Sequence, residues 1–133
     1  MNAMERTNIM LAKILDRAMS NGVSHWTLEF GDLGLSDEFG TYFFPCIEWL
    51  EAEGLIRVGA CDRLLGGVAA GCARNIALTA KGMAVLGAQI DVQGRREPLS
   101  VSVKQVSEGK VDYNRIGDAI GGLIGGFLKS MSG

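Results

Sequence analysis

Histidine occurs once in this 133-residue chain, and the three cysteines (Cys46, Cys61 and Cys72) are an odd set without metal-type spacing. A lone imidazole cannot complete a zinc site around such scattered thiols, so no metal is expected. Unpatterned cysteines fit a reducing, cytoplasmic compartment. An excess of positive charge is missing too. Thirteen Lys/Arg against fifteen Asp/Glu leave a formal charge of −2, which gives no global attraction to phosphate or to an anionic membrane surface. Up to Ile90 the balance is 7 basic to 10 acidic residues, so the compact part is the acidic part. No run approaches the roughly 18–20 apolar residues of a spanning helix. The opening MNAMERTNIMLAKILDRAMS carries Glu5 and Asp16 and no uninterrupted apolar stretch. It does not read as a signal peptide.

What is present is core material. Nearly half the residues are hydrophobic, and a chain of this size buries about two-thirds of its unfolded surface as one domain. Leu11, Ile14, Leu15 and Ala18 recur at helical spacing, Asn2 and Glu5 suit a capping box, and Asn21-Gly22 suits a helix end. Trp26, Leu28 and Phe30 alternate as in a strand, although LEFGDLGL equally suits a short helix. The next helix spans about Tyr42 to Glu53, with Pro45 forcing a start near Phe44 or a kink, and Gly54 as its cap. LIRVGA and ARNIALT read as paired strands around a Gly-rich gap. Thr79 then caps a short helix, AKGMAVL, ending at Gly87. Beyond it, QIDVQ and LSVSVKQV resemble two strands around GRREP, with Leu99, Val101 and Val103 alternating.

The stretches IEWLEAEGLIRV and IALTAKGMAVL, in this element order, resemble the winged-helix superfamily over residues 4–87. The resemblance implies an α+β fold. Residues 1–88 would form a winged-helix-like domain of three helices, a two-stranded wing and a short closing helix. Residues 89–133 would be an appendage with a β-hairpin (89–106) and a Gly-rich amphipathic helix (113–130). It also implies a third helix that reads the DNA major groove, with basic wing residues on the backbone.

The side chains argue against that use. Phe43, Cys46, Ile47 and Leu50 share the core face of the helix, which leaves Thr41, Pro45, Glu48 and Ala52 outward and Phe44 and Trp49 on the shoulders. None of these is a basic or amide side chain of the kind that engages bases and phosphates. The wing segment DRLLGGVAAG is apolar, with Arg63 and Arg74 as its flanking cations. Either its leucines fold back on the domain or they seek another chain. Phe44, Trp49, Leu64 and Leu65 are therefore the expected partner-binding residues. For DNA binding, the alternative, Arg57, Arg63, Arg74, Arg95, Arg96 and Lys104 would have to supply the phosphate contacts. A turn at Gly66-Gly67 would set Cys61 opposite Cys72.

In the last segment, Gly117, Gly121 and Gly125 form a stripe of small residues, with Ile120, Leu123 and Phe127 on an apolar face. Such a stripe permits close helix packing. Self-association, docking on its own domain and shallow membrane insertion by residues 116–128 all remain open. His25 has no nucleophile or acid partner, and GGLIGG and LLGGVAAG lack the lysine of a phosphate loop. The expectation is a non-enzymatic protein with no cofactor, whose partner is another protein or a second copy of itself.

Overall fold

The computed structural model describes residues 1–92 and 94–110, which form an α+β fold of four α-helices and antiparallel sheets. Helix α1 (Ala3–Asn21) begins at a capping box: the Asn2 side chain accepts from the Glu5 N–H at 2.8 Å, and the Glu5 carboxylate accepts from the Asn2 N–H at 3.2 Å. It ends at Gly22, whose positive φ of 61° lets its N–H return to the Ala18 carbonyl at 2.8 Å. The Gly22 carbonyl in turn accepts from the Leu78 N–H at 3.2 Å, so the helix end is tied to the sheet.

Both readings of the next stretch hold, in succession. Strand β1 covers Trp26–Leu28, and 3-10 turns follow at Phe30–Leu33 and Asp37–Tyr42. No further α-helix stands between α1 and α2 among the described residues; the two 3-10 turns occupy that place. Helix α2 (Phe43–Ala52) takes Pro45 in its first turn, where the missing N–H costs no internal bond.

Strand β4 (Gly71–Leu78) is the centre of the main sheet. It pairs with β1 on one side, and with β2 (Ile56–Arg57) and β3 (Ala60–Arg63) on the other. Two residues of β4, Arg74 and Asn75, stand opposite Thr27 alone, because Trp26 faces Ile76 and Leu28 faces Ala73. Asn75 makes this bulge by adopting φ 55°, a conformation Asn tolerates better than most residues. Thr79 then joins three elements. Its hydroxyl donates to the Gly54 carbonyl beyond α2 and accepts from the Gly82 N–H of α3 (Ala80–Gly87) at 2.9 Å. Gly82 lies so close to the Leu55 carbonyl that any side chain there would overlap it.

The C-terminal part departs from expectation. The hairpin is short, β5 (Gln89–Val92) with β6 (Arg95–Pro98), and LSVSVKQV is not a strand but helix α4 (Leu99–Ser107). The period-2 alternation of Leu99, Val101 and Val103 was coincidental. Burial follows Leu99, Ser102, Val103 and Val106, the spacing of one helix face, while Val101 is 39% exposed. Helix α4 packs along α1, where the Ser107 hydroxyl donates to the Asp16 carboxylate at 2.8 Å and Lys104 approaches it at 3.7 Å. Leu99, Val103 and Val106 belong to the same buried cluster as Met10, Leu11, Ile14 and Leu15. A boundary at residue 88 thus divides no two cores among the described residues. The Gly-rich helix expected at 113–130 lies outside them. Among the described residues no helix is long and apolar enough to cross a membrane.

Helix and strand make opposite predictions for neighbouring valines. On α4, Val103→Ala should destabilise by about 1–3 kcal/mol, while Val101→Ala should stay within about 0.5 kcal/mol. Chemical denaturation measures both; equal losses would return this segment to a strand.

Candidate functional site

The hairpin of β3 and β4 closes through a seven-residue loop, residues 64–70. Two backbone bonds shape it: Leu64 N–H to the Ala70 carbonyl at 3.0 Å, and Ala70 N–H to the Gly67 carbonyl at 3.1 Å. The loop sorts its apolar residues between two sides. Ala69 and Ala70 are half-buried, and Ala69 packs against the core. Leu64, Leu65 and Val68 point away, at 65%, 102% and 67% exposure. The leucines therefore do not fold back on their own domain.

Because the loop has an odd number of residues, the strand register moves by one from that of a Gly66-Gly67 turn. Cys61 faces Ala73 and Cys72 faces Asp62. A one-residue slip places the two cysteines on opposite faces of the sheet, so they are not the cross-strand pair expected; all three thiols are free. Burial pushes the Cys46 thiol up to about 12. Cys61 is also held above its ordinary value, by partial burial first and then by the carboxylates of Glu48 and Glu51, against the opposing pull of Arg63. Neither is primed as a nucleophile.

On α2 the core face is as expected: Phe43, Cys46, Ile47 and Leu50 are buried, and Thr41, Pro45, Glu48 and Ala52 are exposed. Trp49 is 37% exposed and is available at the surface. Phe44 is not. Expected on a partner-binding shoulder, it is fully buried, with the Phe43 ring edge-on at 4.9 Å and the Arg63 guanidinium 4.6 Å from its centroid. Leu64 and Leu65 are thus exposed on the loop, Trp49 is partly exposed on α2, and Phe44 is buried beneath the Arg63 guanidinium.

The cations proposed for phosphate are scattered and partly neutralised. Arg63 pairs with Glu48, and Arg74 with Asp62 at 2.5 Å. Lys104 is on α4 beside Asp16, not in the second hairpin. Arg95 and Arg96 are consecutive on β6 and so face opposite ways. Arg57, Arg95 and Arg96 are exposed and make no ion pair among the described residues. The glycine-series residues Gly117, Ile120, Gly121, Leu123, Gly125 and Phe127 lie outside the described residues.

The chain matches no family model, no curated protein and no solved structure. Side-chain geometry alone therefore bears on function. It adds residues that the sequence reading passed over: Glu48 as the partner of Arg63, Val68 as a third exposed member of the loop, and Gly40, whose buried backbone lies under Ala69. The signal for the first was the opposite charge of Glu48 on α2 and Arg63 at the end of β3; for Gly40 there was none.

The Cys61 environment makes a signed prediction. Removing the Glu48 charge lowers the thiol's pKa and raises its thiolate fraction, so Glu48→Gln should speed alkylation of Cys61 at pH 8 about twofold or more. Arg63→Gln should slow it. Mass spectrometry of the peptide carrying Cys61 reads both rates, and equal rates in all three proteins would remove these charges from its environment.

Proposed function

We propose that this chain is a non-enzymatic, winged-helix-like protein that acts by protein–protein contact or self-association, with residues 64–70 as the tip of its wing and contact surface. Element order supports the winged-helix part: helix, short strand, helix, hairpin, closing helix, with β4 pairing all three earlier strands. The observation that carries the functional part is the loop itself. Three large apolar side chains project into solvent beside an α2 face whose charged residues are Glu48 and Glu51. An apolar tip of this kind is a liability unless another surface covers it. Phosphate would be repelled by the adjoining carboxylates, and Arg63 is already taken by one of them.

A second reading, DNA binding, is favoured by Arg57, Arg95 and Arg96, which are exposed and make no ion pair among the described residues. It requires an assembly that gathers them into one stripe.

Light scattering and fluorescence anisotropy separate these readings. The wild-type mass should rise with concentration, and Leu64→Ser with Leu65→Ser should abolish the rise with little change in melting temperature. Loss of the rise only on removing residues 114–133 would move self-association to the glycine series. A monomer at every concentration would leave contact with a different protein. Binding to a mixed-sequence duplex at low salt that fades at high salt would overturn the proposal in favour of DNA.

A further inference from the structure

The loop at residues 64–70 is fastened to the body at two places of different kinds. At its root, the Arg63 guanidinium stacks 4.6 Å from the centroid of the Phe44 ring and pairs with the carboxylate of Glu48, one turn along the same helix. On the other arm the contact is apolar. A Cβ placed on buried Gly40 would lie 3.4 Å from the Ala69 methyl and 3.7 Å from Val68, so this arm rests directly on the 3-10 turn that leads into α2. Beneath the Arg63 guanidinium, Phe44 has no exposed surface at all.

We propose that Arg63 is a latch holding the β3–β4 loop closed over Phe44. Release of its pair with Glu48 lets the loop lift and adds Phe44 to the apolar surface of Leu64, Leu65 and Val68. The proposal rests on the reading of this loop as a contact surface and deepens it: the surface has a smaller closed form and a larger open one.

Three features suit a latch better than a permanent seam. First, both members of the ion pair are about half exposed, 54% and 55%, and such pairs shift an equilibrium by a factor of a few and weaken in salt. Second, an exposed cation over an aromatic ring contributes on the same modest scale. Third, glycines stand where the loop would have to bend. Gly66 and Gly67 at the tip have φ of 124° and 142°, and Gly71, with φ 116°, sits at the far root against the Asp62 carbonyl, where a side chain would overlap it. Such positions absorb backbone change at low cost. The contact on Gly40 is small: the Ala69 methyl and one methyl of Val68 rest near a bare backbone, while Leu64 and Leu65 point away.

Methyl relaxation dispersion on the full chain tests the latch, with the Ala69 methyl as reporter of a minor open state. In Glu48→Gln, and in wild-type protein taken from low salt to about 1 M NaCl, the open population at Ala69 should rise about three- to fivefold. Ring-current shifts of the Arg63 side-chain protons should shrink in step, and the Ile76 methyl in β4 should stay silent. Arg63→Lys, which keeps the charge and loses the planar stack, should fall between wild type and Glu48→Gln. An Ala69 population unchanged by both the substitution and salt would overturn the latch, and so would dispersion that spreads equally to Ile76. Neither result touches the contact role of Leu64 and Leu65, which the light-scattering comparison decides separately.

Discussion

The apolar stripe of α1 is the constraint on which the other elements depend. Met10, Leu11, Ala12, Ile14, Leu15 and Ala18 are all buried, and α1 meets α2, β4, the second 3-10 turn and α4. Full burial of each large member stabilises the fold by about 1.5–3 kcal/mol. No single neighbour is wide enough to cover the stripe. The sheet takes one side through Ala73 and Ile76, and α4 takes another through Leu99, Val103 and Val106. The polar fastenings serve this packing. The capping box sets where α1 starts, Gly22 ties its end to Leu78, and Thr79 holds α2, β4 and α3 at a common corner.

The β3–β4 loop obeys a different rule. Its fastenings to the body are one stacked cation, one exposed ion pair and one small apolar contact, of Ala69 and Val68 on a glycine. Each is individually weak, and two of the three respond to ionic strength. The same loop presents the most fully exposed large apolar side chains of the described residues, with Val23 level with Leu64. Strong packing is spent on the centre, and the periphery is left adjustable, which is where local opening is cheapest.

Much of this was legible in the sequence wherever a local pattern had one physical reading. Asn2 with Glu5, Gly22, Gly54 and Thr79 marked helix ends because caps demand particular side chains or φ values. The core face of α2 followed from helical spacing alone. Three failures share a cause. Val101 reads as a strand position because alternation and helical spacing coincide at Leu99 and Val103. Helix phase sets Phe44 on a shoulder of α2 and says nothing of the Arg63 guanidinium that lies over its ring. The cysteine register differs by one because the loop has seven residues, with Ala69 resting on distant Gly40, where a turn centred on Gly66-Gly67 has an even count. In each case a residue distant in sequence made the decision, and no short window contains it.

The pairing of α1 with α4 has a consequence for synthesis. Asp16 and Ser107, which share a hydrogen bond, are 91 residues apart. At roughly 5–20 residues per second of translation, α1 waits on the order of 5–20 s for the helix that covers its second side. During that interval Leu11, Ile14 and Leu15 can be shielded only in part, by the sheet and α2. The nascent chain therefore carries a transient apolar strip that the finished protein never shows, and it is then, rather than after release, that a chaperone has something to hold.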